Sequence, residues 1–286
     1  MGIITNSTSE SRDRLKMNKK VYTGPKILYI DIETAPILAY IWGLWDQNVG
    51  LNMIKEDWHI LSWAAKWKHD PPSKVMYADQ RNAKNINDDK HMLKGIWQLL
   101  HEADIVVAQN GKSFDRKKLN ARFILNGFPP PSSYKMLDTL LMARKHFKFT
   151  SNKLEYTSDK LNKKYKKLKH NKFPGFKLWE ECLKKNVAAF NEMKKYNIHD
   201  VLSLEEYHNI LEPWDGSINL SIYTDDISKT VCSCGNKHFV KNGFKFTSAG
   251  KFQRHRCTKC GNEFRESTNI LKKEQRKALL RPTTKV

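Results

Sequence analysis

KILYIDIETAP, residues 26 to 36, places two carboxylates, Asp31 and Glu33, at the end of an apolar run. Ile27 to Ile30 reads as a buried strand, and the D-I-E alternation turns both acids to the same side of it. Like charges set side by side on a strand repel unless a cation lies between them, and the hard cations that suit carboxylate oxygen are Mg²⁺ and Mn²⁺. Alone, D-x-E is also the pattern of a solvated strand end, so its meaning depends on which acids the rest of the chain supplies.

Working outward, Ile60 to Lys68 and Val75 to Asp79 read as two further strands separated by the turn signal Asp70-Pro71-Pro72. The Trp- and Asn-rich excursion Tyr40 to Trp58 has no regular period. Asp88 and Asp89 offer an N-cap to a helix with Met92, Leu93, Ile96, Leu99 and Leu100 on one face. Asp104 to Gln109 is a short buried strand running into Asn110-Gly111. Helical pattern resumes at Lys112 with Phe114, Leu119, Phe123 and Ile124 apolar, and Gly127 ends it. Leu137 to Phe147 reads as another helix, and a long one starts near Asn186 and runs to Leu211, where Pro213 stops it. This order predicts an α/β fold, a mixed sheet flanked by helices.

Asp115 stands just inside the helix after the Asp104 to Gln109 strand, and Asp200 on the long late helix. Tyr196 is four residues before Asp200, hence on the same helical face. Four acids from three segments converging at one strand end suit a two-metal site for phosphoryl displacement. Asp79, Asp104 and Asp138, also near element ends, are expected to be structural.

Asp31-Ile32-Glu33, then Asn110 with Phe114-Asp115, then Tyr196 with Asp200, in this order and spacing, resembles the three motifs of the DnaQ-like 3′–5′ exonucleases, which have the ribonuclease-H-like fold. The likeness is to the tyrosine subgroup of the DEDD nucleases, including the proofreading domain of family-B DNA polymerases, and covers about residues 25 to 213. It implies that Asp31, Glu33 and Asp200 hold the first of two Mg²⁺ or Mn²⁺ ions, that Asp31 bridges to the second, which Asp115 supports directly or through water, that Tyr196 orients the attacking water, and that Asn110 and Phe114 flank the terminal nucleotide. Tyr196 is a poor base at an ordinary pKa of about 10. The sister subgroup places a histidine five residues before the last aspartate, where this chain has Lys195; His199 is rotated away from Asp200 on a helix.

The chain has 286 residues with 51 Lys+Arg against 30 Asp+Glu, a net charge of +21. That excess favours a polyanionic partner. The lysine series of residues 153 to 172, interleaved with Leu154, Tyr156, Leu161, Tyr165 and Leu168, predicts a basic helix that neutralises phosphates without reading sequence. No apolar run approaches the roughly 18 residues of a membrane span, and the N-terminus has no signal-peptide core, so the expectation is a cytoplasmic protein, in the host cytoplasm if viral, with no membrane partner.

Beyond Gly216 the composition shifts to Cys, Gly, Lys and Phe. Cys232-x-Cys234 and Cys257-x2-Cys260, each pair followed by glycine, read as the two knuckles of a zinc ribbon holding one structural Zn²⁺. The C-x-C spacing is tighter than usual, with His238 and His255 the alternative ligands. The intervening basic hairpin turns around Ser248-Ala249-Gly250 and is expected to set Lys245, Lys251, Arg254 and Arg256 on phosphates. Cys182, alone in a helix, reads as inert packing, and Tyr223 to Asp226, which resembles a polymerase palm motif, as linker.

The expected organisation is a flexible tail over residues 1 to 24, an exonuclease domain over 25 to 216, a zinc ribbon over 217 to 270 and a basic tail over 271 to 286. The expected activity is metal-dependent 3′–5′ exonucleolysis, DNA favoured, at single-stranded 3′ ends. The alternatives are a non-catalytic nucleic-acid-binding protein on a nuclease-like platform and an RNA-trimming exoribonuclease. The Trp-rich segment Trp42 to Trp67 is the candidate docking surface for a replication or repair protein.

Overall fold

The structure, a computed structural model, describes residues 24 to 166, 168, 172 to 223 and 230 to 280. The N-terminal tail before Gly24, the linker string after Tyr223 and the last six residues lie outside them. Strand β1 (Ile27–Thr34) is followed by a small ladder, β2 (Leu38–Ala39) with β3 (Ile54–Glu56), and then by β4 (Ile60–Trp67) and β5 (Met76–Asp79). Next come helix α1 (Lys90–Glu102), β6 (Ile105–Ala108), α2 (Asp115–Leu125), β7 (Lys135–Asp138) and α3 (Thr139–His146). Three helices complete this part of the chain, α4 (Leu154–Leu161), α5 (Lys177–Leu183) and the long α6 (Val187–Leu211).

The five long-range strands form one mixed sheet in the order β5-β4-β1-β6-β7, with β1 antiparallel to β4 and parallel to β6. This is the expected α/β class, a mixed sheet flanked by helices. The pleat of β1 sorts its side chains into two layers. Leu28, Ile30 and Ile32 pack with Leu93, Ile96 and Leu100 of α1 and Leu119 and Phe123 of α2. Ile27 and Tyr29 pack with Val201 and Leu204 of α6. Asp31 and Glu33 continue the second series, so the strand delivers both acids to the side of the sheet that α6 covers.

Helix α6 buries a continuous stripe, Ala189, Phe190, Met193, Tyr196, Asn197, Asp200, Val201, Leu204, Tyr207, His208 and Leu211, at the three-to-four spacing of one helical face. Asn186 caps it through Ala188 N–H. The stripe is apolar except at His208 and where Tyr196, Asn197 and Asp200 pass the β1 acids. Near its far end His208 Nδ1 meets the Tyr29 hydroxyl at 2.9 Å, and burial pushes the ring's pKa down to about 4.

Four local expectations are corrected. Leu137 belongs to strand β7, and the helix starts only at Thr139, because Asp138 Oδ1 accepts from the N–H groups of Leu140 and Leu141 and caps it there. Asp89 does not cap α1 through its side chain. It accepts from Ile60 N–H at 2.9 Å and pairs with the Arg122 guanidinium at 2.7 and 2.8 Å, tying α1 to β4 and α2. The lysine-rich helix ends at Leu161, where the Asn162 amide bonds Tyr165 O and Ser203 O, and Glu206 of α6 accepts the N–H groups of Lys163, Lys164 and Tyr165. Ile124, expected on the packed face of α2, is exposed beside a hollow that Phe128 and Pro130 also line.

The Trp-rich stretch divides in two. Trp63 packs in the core with its indole donating to Met92 O, while Trp42 is 95% exposed. No described helix is long and apolar enough to cross a membrane.

The turn after β6 tolerates nothing larger than glycine at Gly111, the third residue beyond the strand. A Cβ on Gly111 would lie 2.3 Å from Met136 Cε and 2.6 Å from Ala108 Cβ. Gly111→Ala is expected to cost about 1–3 kcal/mol in urea unfolding as β7 is pushed away. An unchanged midpoint would mean that the turn repacks freely.

Candidate active site

The three acids on facing elements come together. One carboxylate oxygen from each of Asp31, Glu33 and Asp200 lies within 4.8 Å of the other two. Asp31 and Glu33 stand on β1 and Asp200 on α6, so the cluster depends on that helix lying across that strand. Tyr196, one turn earlier, bonds Asp200 through its hydroxyl. Burial first, and then the charges of Asp200, Glu33 and Asp31, hold the Tyr196 phenol well above its ordinary pKa. It therefore keeps its proton and acts as a donor.

Asp115 does not join this group. Helix α2 packs on the opposite layer of the sheet, and the Asp115 side chain, 3% exposed, accepts from its own N–H and from Ile32 N–H between the two β1 acids. Burial pushes its pKa up to about 7 against those hydrogen bonds, and the charge of Asp138 adds to the rise. A carboxyl whose pKa is raised on folding contributes stability below its unfolded value, and that contribution is lost as pH climbs through the folded one. Asp115→Asn has no such loss. Without divalent ions its thermal midpoint relative to the parent should therefore be higher at pH 8 than at pH 5, and a difference independent of pH would refute the raised pKa.

Asn110 takes φ +62°, a left-handed conformation that asparagine adopts more readily than most residues. Asp138 holds it there, accepting Asn110 N–H at 3.1 Å and Lys112 N–H at 3.0 Å in addition to its helix cap. Asp79 is paired with Arg81 at 2.7 Å, and Asp104 accepts Lys26 N–H at 2.7 Å, so all three acids expected to be structural have structural partners.

Asp31, Glu33, Tyr196 and Asp200 line a cleft of about 580 Å³ together with Asn110 and Phe114. Two cations also line it, Arg144 near the end of α3 and Lys153 just before α4. Sequence reading had not singled out Arg144. Gln109 fastens this rim, accepting from Thr139 Oγ1 at 2.5 Å and donating to Asn152 O at 2.9 Å.

Asn197 was also missed. Its amide donates to Asp31 Oδ2 at 2.5 Å and Asp31 O at 3.3 Å, and its carbonyl oxygen accepts from Ser62 Oγ at 3.2 Å. Lying three residues before Asp200, it was legible as part of the same helical stripe. The ring of His199 meets the Lys166 carbonyl and lines none of the acidic cleft.

Near the C-terminus β8 (Phe239–Thr247), β9 (Gly250–Cys257) and β10 (Glu263–Arg265) form a separate sheet, with the hairpin turning where expected. The sulfurs of Cys232, Cys234, Cys257 and Cys260 all lie within 4.8 Å of one another, with Cys232 to Cys260 at 3.4 Å and Cys234 to Cys257 at 3.7 Å. Four thiolates about 2.3 Å from a tetrahedral Zn²⁺ stand about 3.8 Å apart, so the donor set fits the ion. Gly235 at φ +80° and Gly261 at φ +78° make the turns after each pair. Burial opposes ionisation of Cys257, but the amides of Cys260, Asn236 and Lys259 bring its pKa down to about 6. His255 pairs with Glu266 at 2.8 Å, and neither it nor His238 belongs to the sulfur group. Cys182 is buried in α5, where burial pushes its thiol up to about 12.

A family model described as the RNase_H superfamily matches residues 68–211, which include Asp115, Tyr196 and Asp200 and leave out β1. No curated protein matches the sequence. Among solved structures, the family B DNA polymerase from the hyperthermophilic archaeon Pyrobaculum calidifontis is similar, with a TM-score of 0.47 and 15% identity over 66% of this chain. The match spans 25% of that polymerase chain.

Proposed function

This chain belongs to the RNase H superfamily, and from that premise we propose that it is a metal-dependent 3′–5′ exonuclease, DNA favoured, acting at single-stranded 3′ ends. The observation that carries the reading is the convergence of Asp31, Glu33 and Asp200 within 4.8 Å beside a protonated phenol. Three carboxylates so close are a hard-oxygen donor set whose repulsion a divalent cation relieves. When bound, Mg²⁺ or Mn²⁺ ions supply Lewis acidity, making water acidic enough to attack near neutral pH and offsetting charge on the departing oxygen.

The chain's own residues do the rest. Asp31, Glu33 and Asp200 hold the ions, with Asp31 kept in place by the Asn197 amide. Asp115, outside the cluster, assists through water. Tyr196, whose proton goes to Asp200, offers its hydroxyl oxygen as an acceptor that orients the attacking water, and its raised pKa rules it out as the base. Asn110 and Phe114 flank the terminal nucleotide, and Arg144 and Lys153 take backbone phosphates along the same cleft. Water adds to the terminal phosphorus and its proton leaves to solvent. The 3′ oxygen of the preceding nucleotide departs and takes a proton from solvent, leaving a 5′-mononucleotide and a strand one unit shorter with a new 3′ hydroxyl. The four cysteines hold one structural Zn²⁺, and Lys245, Arg254 and Arg256 of the ribbon help retain the strand.

Single-stranded DNA labelled at its 5′ end and incubated with protein and Mg²⁺ should yield a ladder that shortens from the 3′ end, with mononucleotides as the released product. Internal cuts, or loss of the 5′ label first, would reject the assigned direction. Running the matching RNA in parallel assigns the sugar.

A further inference from the structure

The basic ribbon hairpin has two unlike faces. Strand register sets Phe246 opposite Lys251 and Phe244 opposite Gln253, which puts these four side chains on one face. Lys245 is opposite Phe252, so Lys245, Phe252, Arg254 and Arg256 fall on the other. The four cations expected on phosphates are thus divided, with Lys251 apart from the rest.

On the second face Arg254 and Phe252 are already engaged. Arg254 Nε donates to Asn242 O at 2.7 Å and its guanidinium lies 3.5 Å from Glu263, while Arg265 sits 4.1 Å over the Phe252 ring. The first face is open. Phe246 is 65% exposed and Phe244 41%, large apolar rings at a surface that water would ordinarily keep polar. Their centroids are 6.4 Å apart, and Lys251 Nζ lies 4.1 Å from the Phe244 centroid and 5.8 Å from that of Phe246.

Charge identifies what covers these rings. From Phe239 to Cys257 the hairpin carries Lys241, Lys245, Lys251, Arg254 and Arg256 and no Asp or Glu. That excess fits a polyanion, and exposed aromatic rings interleaved with cations fit one whose bases are unpaired, since a duplex hides its base faces. We propose that Phe244 and Phe246, with Lys251 beside them, form a stacking platform for the unpaired bases of a single strand. Two rings two residues apart on one strand offer surfaces to successive bases, and Lys251 on the same face takes the intervening phosphate. This role goes beyond the nuclease reading and does not rest on it.

The test is binding by the full zinc-loaded chain without added Mg²⁺ or Mn²⁺, read by fluorescence anisotropy of a labelled oligothymidylate, so that hydrolysis plays no part. Phe246→Ala should weaken binding roughly fivefold to a hundredfold, the range of one lost base stack, and Phe246→Tyr should restore it. An abasic oligonucleotide of equal length and charge should bind the parent more weakly than oligothymidylate, and Phe246→Ala should not weaken it further. Lys251→Ala should weaken both oligonucleotides alike. If the abasic strand binds the parent as tightly as oligothymidylate, or if Phe246→Ala leaves oligothymidylate affinity unchanged, the rings serve some other partner, such as a protein, and the platform is refuted.

Discussion

Asp31→Asn should stop nucleotide release, lowering the rate at least about a thousandfold, while the protein stays folded. The asparagine fills the same space and its oxygen still accepts from the Asn197 amide, which donates to Asp31 Oδ2 at 2.5 Å. What disappears is one negative charge of three within 4.8 Å. In buffer free of divalent ions the repulsion between Asp31, Glu33 and Asp200 falls, so the thermal midpoint should hold or rise, and with Mg²⁺ the parent should gain more stability than the variant. A variant that degrades DNA as fast as the parent would remove the acidic cluster from the chemistry. A variant that fails to fold would show that Asp31 is structural.

Loss of the sulfur site should have an equally large effect in a different place. Among the described residues of the ribbon, the only buried hydrophobic side chains are Cys232 and Cys257, so little apolar packing remains once the metal-binding cross-link is gone. Structural zinc sites contribute on the order of 10 kcal/mol to folding in such small modules. Cys257→Ser should lower bound zinc from one per chain to none and expose the β8–β9 hairpin to protease. The core of β1, β4, β6 and α6 should keep its own unfolding transition, since the residues beyond 216 that pack on it, Ile218, Leu220 and Tyr223, all precede the cysteines and the β8–β9 hairpin. Retained hairpin protection without zinc would refute the structural role of the metal.

Much of this architecture could be read from periodicity. The β1 alternation and the i, i+4 pair Tyr196 and Asp200 are local patterns, and local patterns survive folding because they depend only on strand and helix geometry. What escaped was set by tertiary partners. Strand β7 is four residues long, and only Asp138 and Thr139 separate its apolar Met136 and Leu137 from Leu140 and Leu141, so the capping potential of Asp138 alone marked the boundary. Asp89 looked like a cap because nothing in the sequence announces that Arg122, 33 residues away, takes both its oxygens. Asp115 lies outside the group of three, because the helix carrying it packs against the even-numbered residues of β1 and the acids are odd-numbered, and its carboxylate meets Ile32 N–H between them. Asn197 was visible as a position on the stripe, but its bond to Asp31 required knowing that α6 lies over β1.

The carboxylate that fastens the lysine-rich turn sits on the same helix as the acidic cluster. Glu206 gathers the N–H groups of Lys163, Lys164 and Tyr165, and Asp200 lies six residues earlier on α6. At 1.5 Å per residue the two anchor points are about 9 Å apart along the axis. Under the proposed function, a polynucleotide gripped by those lysines would be held by the rod that also presents Asp200. The helix works as a ruler, and lengthening it by a turn between these two positions would move the grip relative to the scissile bond without altering a single ligand.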